Sequence, residues 1–173
     1  MEKYIIGLDI GGTKLAVVAS DKNGRILQKV RKPTEAEKGP DYAIQKLIEM
    51  VNETLSLANI ERKDLLGIGA SCGGPLDTKT GIIYSPPNLP GWNAIPFKEI
   101  FEEEFELPVI VENDANAGAL AEWMFGAGKG YDYVVYMTMG TGIGGGIIVN
   151  GEVYHGANDS AGEVGHQILL PDG

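Results

Sequence analysis

The stretch Asp9-Ile10-Gly11-Gly12-Thr13-Lys14 sets a carboxylate, two glycines, a hydroxyl and a lysine within one short run. Glycines let backbone N–H groups approach an anion closely, and Thr13 and Lys14 add a side-chain donor and a positive charge. Phosphate is the anion such a set suits. Taken alone the signal is weak, because many hairpins carry Gly-Gly for turn geometry only. A second stretch, Gly140-Thr141-Gly142-Ile143-Gly144-Gly145-Gly146, repeats the chemistry and satisfies GxGxxG. A dinucleotide-binding reading of that pattern needs a helix directly after it. Ile147-Ile148-Val149 follow instead and read as a strand, so a phosphate-contacting hairpin is the better expectation. The sequence contains no Walker A pattern.

Asp114 is the other carboxylate of interest. It follows the apolar run Leu107 to Val111 and stands at the start of a helical stretch, which on position alone makes it an N-cap. That role is compatible with a chemical one: a helix N-terminus favours an anion, and an oriented carboxylate is what a general base must be. Asn113 and Asn116 beside it can fix hydroxyl groups or serve turns and caps. Glu163 and His166 lie in the glycine-rich Ala161-Gly162-Glu163-Val164-Gly165-His166, where such a pair is more often surface or capping chemistry. His155 and His166 are the only histidines and Cys72 the only cysteine, which excludes an internal disulfide and supports no zinc site within these residues. Trp92 and Trp123 read as core or loop-packing residues.

The elements that must position these groups follow from hydrophobic periodicity. Tyr4–Leu8 and Leu15–Ala19 flank the first glycine turn as strands, and a turn at Asp21–Gly24 leads to a third strand, Arg25–Val30, completing an antiparallel meander. Pro40-Asp41 opens a helix with Ile44, Leu47, Ile48, Val51 and Leu55 on one face and Asp41 as the expected N-cap. Leu65–Ala70 is a strand ending in Ser71-Cys72-Gly73-Gly74-Pro75, and residues 77–96 read as a long irregular loop of the functional kind. Phe97, Ile100, Phe101 and Phe105 line a short acidic helix; Leu107–Val111 is a strand and Ala115–Phe125 a helix. After Gly126–Gly130 the pattern restarts: Tyr133–Gly142 lies over Tyr4–Thr13 with matching polarity, and Ile147–Val149 with Asn150-Gly151 parallels Val17–Ala19 with Asn23-Gly24. Two lobes are expected, residues 1–130 and 131–173, each beginning strand, glycine turn, strand.

With 173 residues, 43% hydrophobic and 22% charged, the chain is of ordinary globular composition. A net charge of −10 leaves no basic stripe for nucleic acid. No apolar run reaches the ~18–20 residues of a membrane span, so no membrane association is expected, and the cytoplasm is the expected compartment.

Together these segments resemble the ROK family (repressors, open-reading-frame proteins and sugar kinases) of the actin/Hsp70/hexokinase superfamily. The resemblance is carried in order by Asp9–Lys14, Ser85-Pro-Pro-Asn-Leu-Pro-Gly-Trp92, Glu112-Asn-Asp-Ala-Asn-Ala117, Gly140–Gly146 and Ala161–His166. It implies an α/β fold: a ribonuclease H-like ATPase lobe with a mixed five-stranded sheet and flanking helices, then the first strands of a duplicated second lobe. It implies ATP-dependent phosphorylation of a hexose or amino sugar, in the manner of a glucokinase, with Asp114 as general base. Asp9, Gly11, Gly12, Thr13, Lys14, Thr141, Gly142 and Gly144 would contact the ATP phosphates, with Asp9 near Mg²⁺. Asn88, Asn113, Asp114, Glu152, Glu163 and His166 would contact the sugar. Family members continue with a CxCGxxGC zinc motif after the position of His166; this chain ends first, so His166 is expected as a zinc ligand only where that motif follows. Residues Cys72 to Asp77 also depart from the family's more usual Pro-Gly-x-x-Asp, a change that bears on sugar choice. A homodimer is one expected assembly. The rival readings are a sugar-binding sensor of the same family and an inactive truncated lobe.

Overall fold

The structure, a computed structural model, describes residues 3–140 and 142–168. The chain packs as two compact units, Met1–Asn113 and Asp114–Gly173.

In the first unit, β1 (Tyr4–Ile10), β2 (Lys14–Asp21) and β3 (Ile26–Pro33) form the antiparallel meander read from the sequence. α1 (Pro40–Ala58) carries the chain across to β4 (Leu65–Cys72), which lies parallel to β1. The 77–96 segment is less irregular than its composition implies. β5 (Leu76–Asp77) and β6 (Ile82–Ile83) pair as a small hairpin, and Ile83 bridges to Ile95. α2 (Phe97–Phe105) then leads to β7 (Val109–Asn113), parallel to β4. The five-stranded mixed sheet has the order β3-β2-β1-β4-β7.

One face of that sheet makes the core. The register sets Ile6, Leu8 and Ile10 opposite Ala19, Val17 and Leu15 on one side and Ile68, Ala70 and Cys72 on the other, all of them buried. Alternate residues point the other way, so Asp9 is exposed between two core side chains. α1 covers the core face with Ala43, Ile44, Leu47, Met50, Val51 and Leu55. The helix begins two residues earlier than a cap at Asp41 would set it. Gly39 stands at the N-cap with φ 84°, Pro40 occupies the first turn, and no side chain caps the end. Proline's fixed φ and missing N–H suit that position, which leaves Asp41 as a first-turn carboxylate, not the N-cap. At the other end Asn59 turns left-handed (φ 54°) and its N–H closes onto Leu55 and Ser56. α2 contributes an aromatic ladder at helical spacing: Phe97 and Phe101 stack at 4.2 Å, Phe101 and Phe105 at 5.7 Å, and Trp92 continues it at 6.4 Å from Phe97. Trp92 is therefore a core residue that ties the 85–92 loop to the helix.

The second unit repeats the opening hairpin. α3 (Asp114–Phe125) precedes β8 (Tyr133–Met139), β9 (Ile143–Val149) and the short β10 (Glu152–Val153), antiparallel in the order β10-β9-β8. β9 starts at Ile143, earlier than the Ile147 expected from the apolar run, so Gly144, Gly145 and Gly146 lie inside the strand. The reason is α3. A methyl on Gly146 would come within 2.6 Å of the Ala115 carbonyl oxygen and the Ala119 Cβ, and one on Gly118 within 2.8 Å of the Tyr136 ring. Glycine on both partners lets helix and hairpin approach closely. The opposite face of β8 displays Tyr133, Val135, Met137 and Met139, all exposed. Trp123 packs beside Gly151 and donates its indole N–H to the Tyr131 carbonyl at 2.8 Å.

Candidate functional site

In the first unit the parallel strands β1, β4 and β7 all end at the same edge of the sheet, as Ile10↔Cys72↔Asn113 in register. Ligands of parallel α/β sheets bind outside the carboxyl ends of the strands. Three glycine-containing or amide-bearing segments converge there: Gly11-Gly12 after β1, Gly73-Gly74 after β4 and Asn113 at the end of β7. The Asn113 amide nitrogen is 3.5 Å from where a Cβ on Gly74 would stand, and its backbone N–H donates to Glu112 Oε1 at 2.8 Å.

The β1–β2 turn is closed by the Gly11 N–H donating to the Lys14 carbonyl at 3.2 Å. Gly12 has no left-handed φ; its lack of a side chain answers a close approach instead. A methyl there would overlap the carbonyl oxygen and Cβ of Asn88. Asn88, an exposed residue of the 85–92 loop, is thus packed directly on the turn, which brings two separately expected groups together. Thr13 and Lys14 are exposed, and Asp9 sits between Ala16 and Ser71 in register.

One participant was not legible beforehand. Thr34, fully buried, donates its hydroxyl to the Gly11 carbonyl at 2.5 Å and its N–H to the Thr13 carbonyl at 3.0 Å. A threonine directly after a strand carries no sequence signal of such a role. Beside it, Glu35 is left-handed (φ 56°) and accepts from Lys38, Lys46 and Tyr42. The Lys38 ammonium first, then Lys46 and the Tyr42 hydroxyl, hold its carboxyl down at about 2. Further along, Asp77 Oδ1 accepts the N–H groups of Lys79 and Thr80 at 2.8 and 2.9 Å, and these bonds, Thr80's above all, hold its carboxyl below the ordinary range.

In the second unit Asp114 is the first residue of α3, exposed, with Oδ1 accepting the Ala115 N–H at 2.9 Å. The β8–β9 turn places Gly140 and Gly142 in open space, with the Gly140 N–H donating to the Gly142 carbonyl at 2.9 Å. Thr141 lies outside the described residues. Gly144 belongs to β9, where a methyl would meet Thr138 and Ala115 at 3.2 and 3.3 Å. The 161–166 segment lies along β9: methyls on Gly162 and Gly165 would overlap the carbonyls of Gly145 and Ile143. The short turn Val164–His166, in which the His166 N–H donates to the Glu163 carbonyl at 3.2 Å, sets the two side chains near each other, with His166 Nε2 3.6 Å from Glu163 Oε2 and both accessible. Glu152 is not gathered with them. It pairs with Val149 at the far end of β9, roughly 13–20 Å of strand away from the Ile143–Gly145 end. Among the described residues no group of three His, Cys, Asp or Glu side chains could hold a metal ion. Among them also, no helix is long and apolar enough to cross a membrane.

The sequence model of the ROK family matches residues 5–173. The glucokinase of Halalkalibacterium halodurans is 39% identical over 172 residues, 99% of this chain and 52% of that protein. A xylose repressor of Bacillus spizizenii is 32% identical over 166 residues, 96% of this chain and 42% of the repressor. Among solved structures, a ROK family glucokinase from Streptomyces griseus in complex with glucose and AMPPNP matches with a TM-score of 0.86 at 36% identity, covering 98% of this chain and 52% of that one. The chain spans about half the length of the curated relatives it matches.

Proposed function

The chain belongs to the ROK family and has the mixed α/β, actin/hexokinase-like fold of its sugar kinases, and we propose that it carries the phosphate turn, sugar loops and general base of an ATP-dependent hexose kinase. Glucokinase relatives support the reaction class, and the relative bound to glucose and AMPPNP supports ATP as the donor. The observation that carries the proposal is the packing of Asn88 on Gly12 at the carboxyl edge of the parallel strands, with Asn113 at the same edge and Asp114 the next residue. A sugar loop and a phosphate turn in direct contact are what transfer between those two ligands requires.

In this reading Asn88, Asn113, Glu163 and His166 bind the hydroxyls of the sugar. Asp114 accepts the proton of the acceptor hydroxyl as its oxygen bonds to the γ-phosphorus and the bond from that phosphorus to the β–γ bridging oxygen breaks, releasing ADP. Gly11, Gly12, Thr13 and Lys14, with Gly142 of the second glycine turn, contact the phosphates. Phosphoryl transfer asks little covalent chemistry of the protein and depends on positioning and charge stabilisation. Asp9, exposed beside the turn, is the carboxylate suited to hold Mg²⁺, which supplies charge neutralisation on the phosphates when bound. The lobes of the reading are residues 1–130 and 131–173, and the compartment is the cytoplasm.

The test is Asp114→Asn in the protein that carries this chain, in a coupled assay over a panel of hexoses. Turnover should fall by roughly 10²–10⁴ while sugar binding stays measurable. Unchanged turnover would remove Asp114 from the mechanism. Kinship with xylose repressors favours a second reading, sugar sensing without transfer. Sugar binding with no ADP formed on any hexose would establish it in place of the first.

A further inference from the structure

We propose that Thr34 is the positioning residue of the phosphate turn, holding the Gly12 amide aimed at the phosphates; this rests on the kinase reading above. Thr34 is fully buried, and valine, which matches threonine closely in shape, would lack only its hydroxyl. A hydroxyl in such a place is costly unless bonded, and this one spends its bond on the Gly11 carbonyl at 2.5 Å. The same residue's N–H donates to the Thr13 carbonyl at 3.0 Å, so two carbonyls of the turn are drawn toward one buried side. In a trans peptide the C=O and N–H point in opposite directions. Fixing the Gly11 carbonyl on Thr34 therefore fixes the Gly12 N–H pointing away from the core. Without the hydroxyl, the Gly11–Gly12 peptide, flanked by glycine on both sides, is free to rotate and present its oxygen instead. An oxygen facing the phosphates repels them.

Thr34 itself is held. Glu35 follows it and is bound by Lys46 and Tyr42 of α1, and Pro33 before it ends β3 opposite Lys14. The turn's geometry is thus set from beneath by a residue about twenty positions further along the chain. Because the amide contacts substrate before and during transfer alike, its loss acts on binding more than on the chemical step.

The experiment is steady-state kinetics of the protein carrying this chain. Thr34→Val should raise KM for MgATP about tenfold with kcat within twofold, and Thr34→Ser, which keeps the hydroxyl, should stay within twofold on both. Thr54→Val is the control: Thr54 is equally buried, and its hydroxyl donates to the Met50 carbonyl at 2.7 Å inside α1, remote from the turn. It should leave KM for MgATP unchanged. If Thr34→Val does not fold, Thr34→Ser against Thr34→Ala gives the same reading, since the two differ by the hydroxyl alone. Equal KM values for the variants with and without the hydroxyl, or a rise shared by Thr54→Val, overturn the inference while the kinase reading stands. A wild-type protein that forms no ADP with any hexose overturns both.

Discussion

Gly12→Ala isolates close approach from backbone freedom. Gly12 has no left-handed φ, so alanine is not strained there by its φ; against the entropy that any such Gly→Ala change gains stands one methyl pressed on Asn88. That methyl would overlap the Asn88 carbonyl oxygen and Cβ and stand 3.0 Å from its carbonyl carbon. The loop cannot simply retreat. Leu89 is buried, its N–H donates to the Pro86 carbonyl at 3.0 Å, and Trp92 is locked in the aromatic ladder. Overpacking against a fixed backbone costs about 1–3 kcal/mol. Gly69 in β4 is the counterpart, with nothing within 4 Å of an added methyl. Removing a strand glycine there should stabilise by about 0.5–1 kcal/mol through backbone entropy. The assay is urea unfolding read by Trp92 fluorescence in a Trp123→Phe background. With slopes of about 1–3 kcal/mol/M, the midpoint of Gly12→Ala should fall by roughly 1 M below that of the parent, while Gly69→Ala rises slightly. A Gly12→Ala midpoint at or above the parent's would refute the contact between turn and loop, and with it the argument that the two ligands are held side by side.

The same logic applies to the second unit. Gly146→Ala pushes a methyl against the Ala115 carbonyl and Ala119 and should cost about 1–3 kcal/mol. Gly142→Ala, facing open space, should change stability by less than about 0.5 kcal/mol, so equal midpoints for the two would contradict the helix-on-glycine packing. Glu35 should titrate by carboxyl-carbon NMR with a midpoint near 2 instead of 4.5. Since its folded-state value is depressed, the stabilisation it brings is present above 4.5 and is lost as the pH falls from there through 2. A midpoint at 4.5 in low salt would mean that Lys38 and Lys46 do not hold it.

How much of this could be read from the chain depended on whether a residue's neighbours lay close in sequence. The aromatic ladder of α2 and the apolar face of α1 follow from helical spacing alone. The meander follows from short β-branched runs between turns. Asp41 was misplaced because a cap is a competition: Asp is a good N-cap by composition, but the adjoining Gly39-Pro40 starts the helix first. The 77–96 loop looked irregular because hairpin strands as short as Leu76–Asp77 and Ile82–Ile83 leave no periodicity to detect. Thr34 was invisible for a different reason. Its role consists of two hydrogen bonds to residues about twenty positions back, and no local pattern encodes those.

The glycines show where sequence signals for chemistry and for packing become confused. Read as text, Gly140 to Gly146 is one motif, and a phosphate reading claims all of it. In the fold it divides. Gly140 and Gly142 have room around them and form the turn. Gly144 and Gly146 face α3, and Gly145 faces Gly162, each filled to contact by a neighbouring backbone or side chain. The second group would be glycine whether or not phosphate ever bound. Gly12 belongs to both kinds at once, since the space it vacates is taken by Asn88. Under the proposed kinase reading, the turn assigned to the donor and the loop assigned to the acceptor would share this one van der Waals contact.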